Sequence, residues 1–325
     1  MYPRLSDILN DLFGVQSPLP IYSFGAMMAV AFLVAMWLTR TEMDRLYAAG
    51  RLGSVRLPVK DERKGRKVMK EMPPSALVGT FVMLAVVGGV LGAKLFHILE
   101  NLDAFARDPL GMIFSVGGLT FFGGLICAAG AIAYYVRKKG LSVPLVADAV
   151  APSLILGYGI GRIGCYLAGD GDWGVCSDLA NKPGWIPNFL WSETFPRNLM
   201  GPGQTPLDVL AYENCPPGAD GVFPTMLYEF AMCAVLFGIL WALRKHPFKA
   251  GWLFSLYLVF TGLERFLIEQ IRVNNEFEVF GLVVTQAEVL SVLIMLAGAV
   301  GLARTTKRRG ATPTPPAQPV ASAAA

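Results

Sequence analysis

Seven stretches of the chain are apolar for long enough to cross a bilayer: roughly 19–39, 75–99, 112–136, 143–166, 225–243, 251–271 and 282–303. A hydrocarbon core of about 30 Å needs about 20 such residues in helical form. Backbone amides at that depth must be satisfied within their own segment, so all seven are predicted as helices. The polar stretches between them differ in character. Residues 40–74 are strongly basic, 167–224 are rich in Gly, Pro, Trp and Asp, and the end of the chain is a low-complexity run of Ala, Pro and Thr. The pattern predicts an all-α integral membrane protein with seven transmembrane helices. It divides into a segment 1–18, helices one to four within 19–166 with a basic arm at 40–74, a small head domain at 167–224, helices five to seven within 225–303, and a disordered tail at 304–325.

Charge sets the orientation. Twenty of the 28 Lys and Arg residues fall in the loops after the first, third and fifth stretches and in the tail. The positive-inside bias puts those segments in the cytosol. The N-terminus and head domain are then external and the C-terminus cytosolic. Apolar residues make up 54% of the chain and charged ones 16%, which excludes an ordinary soluble domain. The net charge of +4 suits anionic lipid headgroups and gives no reason to expect nucleic acid.

Charges inside the apolar stretches are the candidate chemistry, because each costs free energy that a partner must offset. Arg162 lies in the glycine-notched fourth stretch, among Gly157, Gly159, Gly161 and Gly164. Arg265, Glu269 and Arg272 recur at i, i+4 and i+7 in the sixth, on one helix face. Two arginines against one glutamate leave positive charge to spare. If the outer ends converge, Arg162 and Arg265 form a fork-shaped anion site suited to a lipid phosphate. The alternative is a ladder of internal ion pairs bracing the helices. Lys94 is expected to snorkel to the interface, and His97 to be an interfacial side chain. Asp148 is expected to sit at the favourable end of its own helix dipole. The pairs Gly117-Gly118 and Gly123-Gly124 admit either a ligand or a neighbouring helix.

Cys127, Cys165 and Cys233 lie in or beside apolar stretches, whereas Cys176 and Cys215 share the external segment. An oxidising compartment favours a disulfide between those two, with two free thiols as the alternative. No CxxC or Cys/His cluster occurs and the chain has 2 histidines, so no metal is expected.

These motifs resemble a known family. Gly161-Arg162-Ile-Gly164, followed by Gly169-Asp170 and Trp173-Gly174, resembles the signature of prolipoprotein diacylglyceryl transferases. Four further runs resemble motifs of the same family in the same order. They are Asp108-Pro109-Leu110 followed by Gly117-Gly118-Leu119-Thr-Phe121 and Gly123-Gly124-Leu125, Asp148 with Ala151-Pro152, Pro224 with Leu227-Tyr228-Glu229, and Arg265-Phe-Leu-Ile-Glu269 with Arg272. The likeness covers about residues 20–300. It implies an enzyme of the bacterial cytoplasmic (inner) membrane without metal or cofactor. Its partners would be phosphatidylglycerol and a prolipoprotein signal peptide with a lipobox cysteine. The implied reaction moves the diacylglyceryl group to the cysteine thiol as glycerol phosphate leaves. Arg162, Arg265, Asp170 and Glu269 are the catalytic residues this suggests. Arg272, Tyr228 and the glycines 117, 118, 123, 124, 161 and 164 join the two arginines in lipid binding.

The chain departs from the family at defined positions. Phe122 replaces the His of Phe-His-Gly-Gly, Cys165 replaces the Asn after Gly-Arg-x-Gly, and Phe24 replaces the Tyr of the first span. Phe223 stands where the family has the His of His-Pro, and the signature Glu becomes Asp170 or Asp172. Two readings follow. In one, a divergent transferase passes its proton to Asp170, Asp172, Glu269 or Tyr228, or lets positive potential alone deprotonate the thiol. In the other, a paralogue keeps the lipid site and serves as a lipid-binding or accessory protein, or uses another acceptor.

Overall fold

A computed structural model of the chain describes residues 2–14, 21–60, 67–115, 120–199, 215, 219–274, 276–279 and 282–307. A short amphipathic helix, α1 (Leu5–Phe13), precedes the long α2 (Ser23–Ala48). An antiparallel hairpin follows, β1 (Val55–Lys60) with β2 (Lys67–Met72). Next come α3 (Val78–Glu100), the short α4 (Leu102–Arg107) and α5 (Pro109–Phe114), α6 (Phe121–Lys138) and α7 (Val143–Ala168). The segment after α7 contributes β3 (Cys176–Ser177), paired with β4 (Gly221–Val222). The chain closes with α8 (Thr225–Leu243), α9 (Trp252–Glu269), a hairpin of β5 (Glu276–Val279) and β6 (Leu282–Thr285), and α10 (Gln286–Thr305).

Among the described residues, five helices are long and apolar enough to cross a membrane: α2, α3 with its leading turn, α7, α8 and α10. The protein is a predominantly helical, multi-pass membrane protein. The other two expected spans behave differently for visible reasons. α6 ends in Arg137 and Lys138, and α9 carries Glu264, Arg265 and Glu269 within 18 residues. The stretch expected as one helix over 112–136 is divided, with α5 ending at Phe114 and α6 beginning at Phe121. The first helix runs from Ser23 to Ala48 rather than 19–39, so the basic arm begins as a continuation of α2 and ends as a β hairpin. Among the described residues, three two-stranded ribbons accompany the helices.

Close packing fixes the helices. Gly123 and Gly124 of α6 lie against α3: added Cβ atoms would meet Phe96 Cβ at 2.4 Å and Gly89 O at 2.8 Å. Gly161 and Gly164 of α7 face α2: a Cβ added at Gly164 would press on Met27 Cβ at 3.0 Å, whereas one at Gly161 would meet Met28 Sδ at an ordinary 3.5 Å. Removing the side chain is what lets these backbones approach. Buried Met43, Leu46, Val55, Phe81, Val136 and Val146 join α2, the first hairpin, α3, α6 and α7 at the end bearing that hairpin. At that same end Asp148 is not the terminal charge of its own helix. Its carboxylate accepts from Gly251 N at 2.8 Å and Phe254 N at 2.9 Å, and so satisfies the open amides that begin α9.

Candidate functional site

At the opposite end, α7, α8 and α9 bring their charges together. Tyr158 and Arg162 lie one turn apart on α7, so the tyrosine hydroxyl receives Arg162 Nε at 3.1 Å and the guanidinium lies 5.1 Å from the ring centroid. Glu229 lies in the second turn of α8, and its side chain has no exposed surface. Arg162 Nε pairs with Glu229 Oε2. Arg272 Nη1 and Arg265 Nη1 approach Glu229 Oε1 at 3.4 and 3.6 Å. Three guanidinium groups thus converge on one carboxylate.

The loop after α7 supplies the next partner. Gly169 ends α7 at φ +62°, its N–H returning to Cys165 O at 2.9 Å, a reversal that glycine adopts without strain. The loop then carries Asp172 back over the helix ends. Asp172 Oδ2 pairs with Arg162 and Oδ1 with Arg272. Thr225, the first residue of α8, donates to Asp172 O at 2.8 Å and fixes the loop. Partial burial pushes the Asp172 carboxyl up, but the guanidinium groups of Arg272 and Arg162 outweigh it and hold the carboxyl below its ordinary range. Gly174 bridges Arg272 backbone to backbone, and a Cβ there would lie 2.7 Å from Ile271 O. Buried Trp173, Phe195, Val222 and Met226 form a small core in this layer. Cys176 and Cys215 are joined by a disulfide with Cα atoms 5.8 Å apart.

The predicted residues separate into two groups. Arg162, Arg265, Arg272 and Glu269 are brought together, with Arg265 Nη2 pairing Glu269 at 2.8 Å and Asn274 donating to Glu269 at 2.8 Å. Tyr228 borders them and donates its hydroxyl to Leu190 O. Asp170 accepts from Asp172 N at 3.4 Å. Gly123, Gly124, Gly161 and Gly164 serve helix contacts, while Gly117 and Gly118 lie outside the described residues. Lys94 reaches Ser115, donating to its carbonyl at 2.9 Å and its hydroxyl at 2.7 Å.

The expectation of positive charge to spare is corrected, since each arginine has at least one carboxylate partner. Sequence reasoning missed Glu229 as the hub and Glu264 altogether. Glu264 is buried, its Oε1 has no hydrogen-bond partner among the described residues, and it lies within electrostatic reach of Glu229. A carboxylate within an apolar helix is the signal that could have found both. Cys165, Asp170 and Asp172 bring one ligand atom each within 4.8 Å of one another. Both Asp172 oxygens are already committed to guanidinium groups, so the trio is poorly suited to hold a cation.

The sequence matches the family model for prolipoprotein diacylglyceryl transferase over residues 10–304. It is 30% identical over 312 residues to the phosphatidylglycerol–prolipoprotein diacylglyceryl transferase of Vibrio cholerae serotype O1, covering 94% of each chain. The enzyme of the same name from Corynebacterium diphtheriae is 29% identical over 290 residues, 87% of this chain and 88% of that one. That of Aeromonas hydrophila is 29% identical over 288 residues, covering 87% and 85%. With a family match that spans almost its whole length, the chain belongs to the prolipoprotein diacylglyceryl transferase family.

Proposed function

We propose that this chain transfers the diacylglyceryl group of phosphatidylglycerol to the thiol of a lipobox cysteine in a prolipoprotein signal peptide. A sulfur–carbon bond forms at the lipid glycerol carbon, the carbon–oxygen bond to phosphate breaks, and glycerol phosphate leaves with that electron pair. The observation that carries the reading is the convergence of Arg162, Arg265 and Arg272 on Glu229 at one end of the helices. A guanidinium has five donors, so pairing with carboxylates leaves others for a phosphate. Arg265, with 26% of its side chain exposed against 7% for Arg272, offers the most open approach. Negative charge that grows on the departing phosphate is stabilised by these fixed donors.

Asp170 takes the thiol proton in this reading. The other proposed acceptors are committed elsewhere: Asp172 to two arginines, Glu269 to Arg265 and Asn274, and the Tyr228 hydroxyl to Leu190 O. The same reading makes α2, α3, α6, α7, α8, α9 and α10 the seven membrane-crossing helices of a bacterial inner-membrane protein. The N-terminus and the head domain at 167–224 are external, and the basic arm and C-terminal tail cytosolic, as the distribution of Lys and Arg requires. Complementation of a strain depleted of its own transferase tests the function. Growth and thioether-linked lipoprotein are expected. Correct insertion without either product sinks the reading in favour of an accessory role.

A further inference from the structure

Among the described residues, Glu264 of α9 is a buried carboxyl that stands outside the ion pairs of the cluster. It keeps 3% of its surface exposed, and its Oε1 has no hydrogen-bond partner among those residues. It immediately precedes Arg265, which approaches Glu229 Oε1 at 3.6 Å. It lies within electrostatic reach of Glu229 and Cys233, one turn apart on α8, and of Tyr158 and Arg162, one turn apart on α7. Arg265 and Tyr257 of its own helix and Arg272 beyond it are the other ionisable groups in reach. α10 packs on α9 through Ser291 and Met295 at Gly262, while its Glu288 is occupied by Gln270 and Thr285.

Burying an ionised carboxylate without a donor is costly, and two neighbouring carboxylates disfavour each other's charge. Glu229 holds the guanidinium partners, so Glu264 is the one that keeps its proton. A neutral carboxylic acid has an O–H to donate, which an ionised carboxylate lacks. The grip on Glu229 is uneven. Arg162 pairs with Oε2 closely, but Arg272 and Arg265 stand off Oε1 at 3.4 and 3.6 Å, beyond the usual span of about 2.7–2.9 Å for a charge-assisted bond. Arg265 Nη1 and Arg272 Nε are buried with no hydrogen-bond partner among the described residues. A phosphate that enters the cluster competes for all of these donors. Tyr158 still donates to Glu229 Oε1 at 3.4 Å, so Oε2 is the oxygen left bare when Arg162 turns to phosphate. The O–H of Glu264 is the donor that replaces it.

We propose that Glu264 is a neutral carboxylic acid that donates its O–H to Glu229 when a phospholipid phosphate draws the arginines away, a positioning residue for lipid binding; this rests on the phosphate-binding part of the transferase reading. The proton stays on Glu264, so no bond breaks. The test uses the full-length protein in phosphatidylcholine nanodiscs with graded phosphatidylglycerol and no acceptor peptide, bound lipid being counted by native mass spectrometry. Glu264→Leu removes the donor. It is expected to weaken phosphatidylglycerol binding about tenfold or more, the scale of one hydrogen bond to a charged group. Its melting temperature without phosphatidylglycerol should hold or rise, because an apolar side chain replaces a buried carboxyl. Glu264→Gln keeps an N–H to donate and should bind within about twofold of the unaltered protein. The infrared carbonyl band of a protonated carboxyl should be lost in Glu264→Gln. In the unaltered protein it should move to lower frequency on adding phosphatidylglycerol, as its hydrogen bond strengthens. Unchanged binding in Glu264→Leu, a binding loss that follows a lowered melting temperature, equal loss in both variants, or no such band in the unaltered protein overturns the proposal. Transfer to a cysteine peptide is measured separately. Unaltered protein that binds lipid with this signature yet forms no thioether sinks the transferase reading and leaves the proposal standing.

Discussion

Arg162 of α7 and Glu229 of α8 form a buried ion pair, the arginine side chain 13% exposed and the glutamate fully enclosed. Three further charges are placed relative to that pair. Arg265 and Arg272 reach the same carboxylate from α9 and the residues after it, and Asp172 reaches Arg162 and Arg272 from the loop after α7. Stability and phosphate binding therefore draw on the same side chains.

Glu229→Ala is expected to destabilise the protein severely. It leaves three guanidinium groups facing one another without their shared carboxylate, and losing one partner of a buried pair costs about 3–5 kcal/mol. Thermal unfolding in detergent checks this. A melting temperature equal to that of the unaltered protein refutes the hub role.

Arg162→Ala and Arg265→Ala should each lower transfer by a factor on the order of 10²–10³, the usual loss when one fixed donor to a developing anion is removed. Lys94→Ala should be milder, because Lys94 bonds Ser115 and has no place in the cluster. A membrane assay with phosphatidylglycerol and a lipobox peptide reads both, and retained activity in either arginine variant counts against a shared phosphate site.

The loop clamp should survive mild acid. Asp172 has a depressed carboxyl in the folded protein, so its contribution is complete above the ordinary aspartate value of about 3.9 and is lost only as pH falls through the lower folded value. Asp172→Asn should therefore lower the melting temperature by a constant amount from neutral pH down to about 5, with the gap closing at stronger acidity. A gap that closes near pH 6 contradicts the assignment.

Cys176→Ser should lower stability by about 2–4 kcal/mol, because the disulfide closes a segment of 39 residues and so restricts the unfolded chain. The same loss should follow reduction of the unaltered protein, and Cys176→Ser should make stability indifferent to reductant. Melting curves with and without reductant measure it.

The arginines were legible because a guanidinium within an apolar stretch contradicts its surroundings. The i, i+4, i+7 spacing put Arg265, Glu269 and Arg272 on one face, and Arg265 and Glu269 form the internal ion pair that was its alternative reading; the spacing could not reveal that Glu229, from another helix, completes the set. The glycines were legible as places of close approach, not as a choice between ligand and helix, since a missing side chain accommodates either. Asp148 shows the same limit: its burial cost is readable from the chain, yet the amides it satisfies belong to α9.

Sequence by itself determined the membrane character and the apolar helices, because hydrophobic length acts locally along the chain. It also carried the family motifs. Tertiary structure alone decided that the arginines are held by carboxylates rather than left bare, that Asp172 closes over them, and that Glu264 is buried within their reach. Those outcomes depend on residues distant in sequence meeting at the ends of α7, α8 and α9, where Coulomb energy and desolvation are set by which side chains converge.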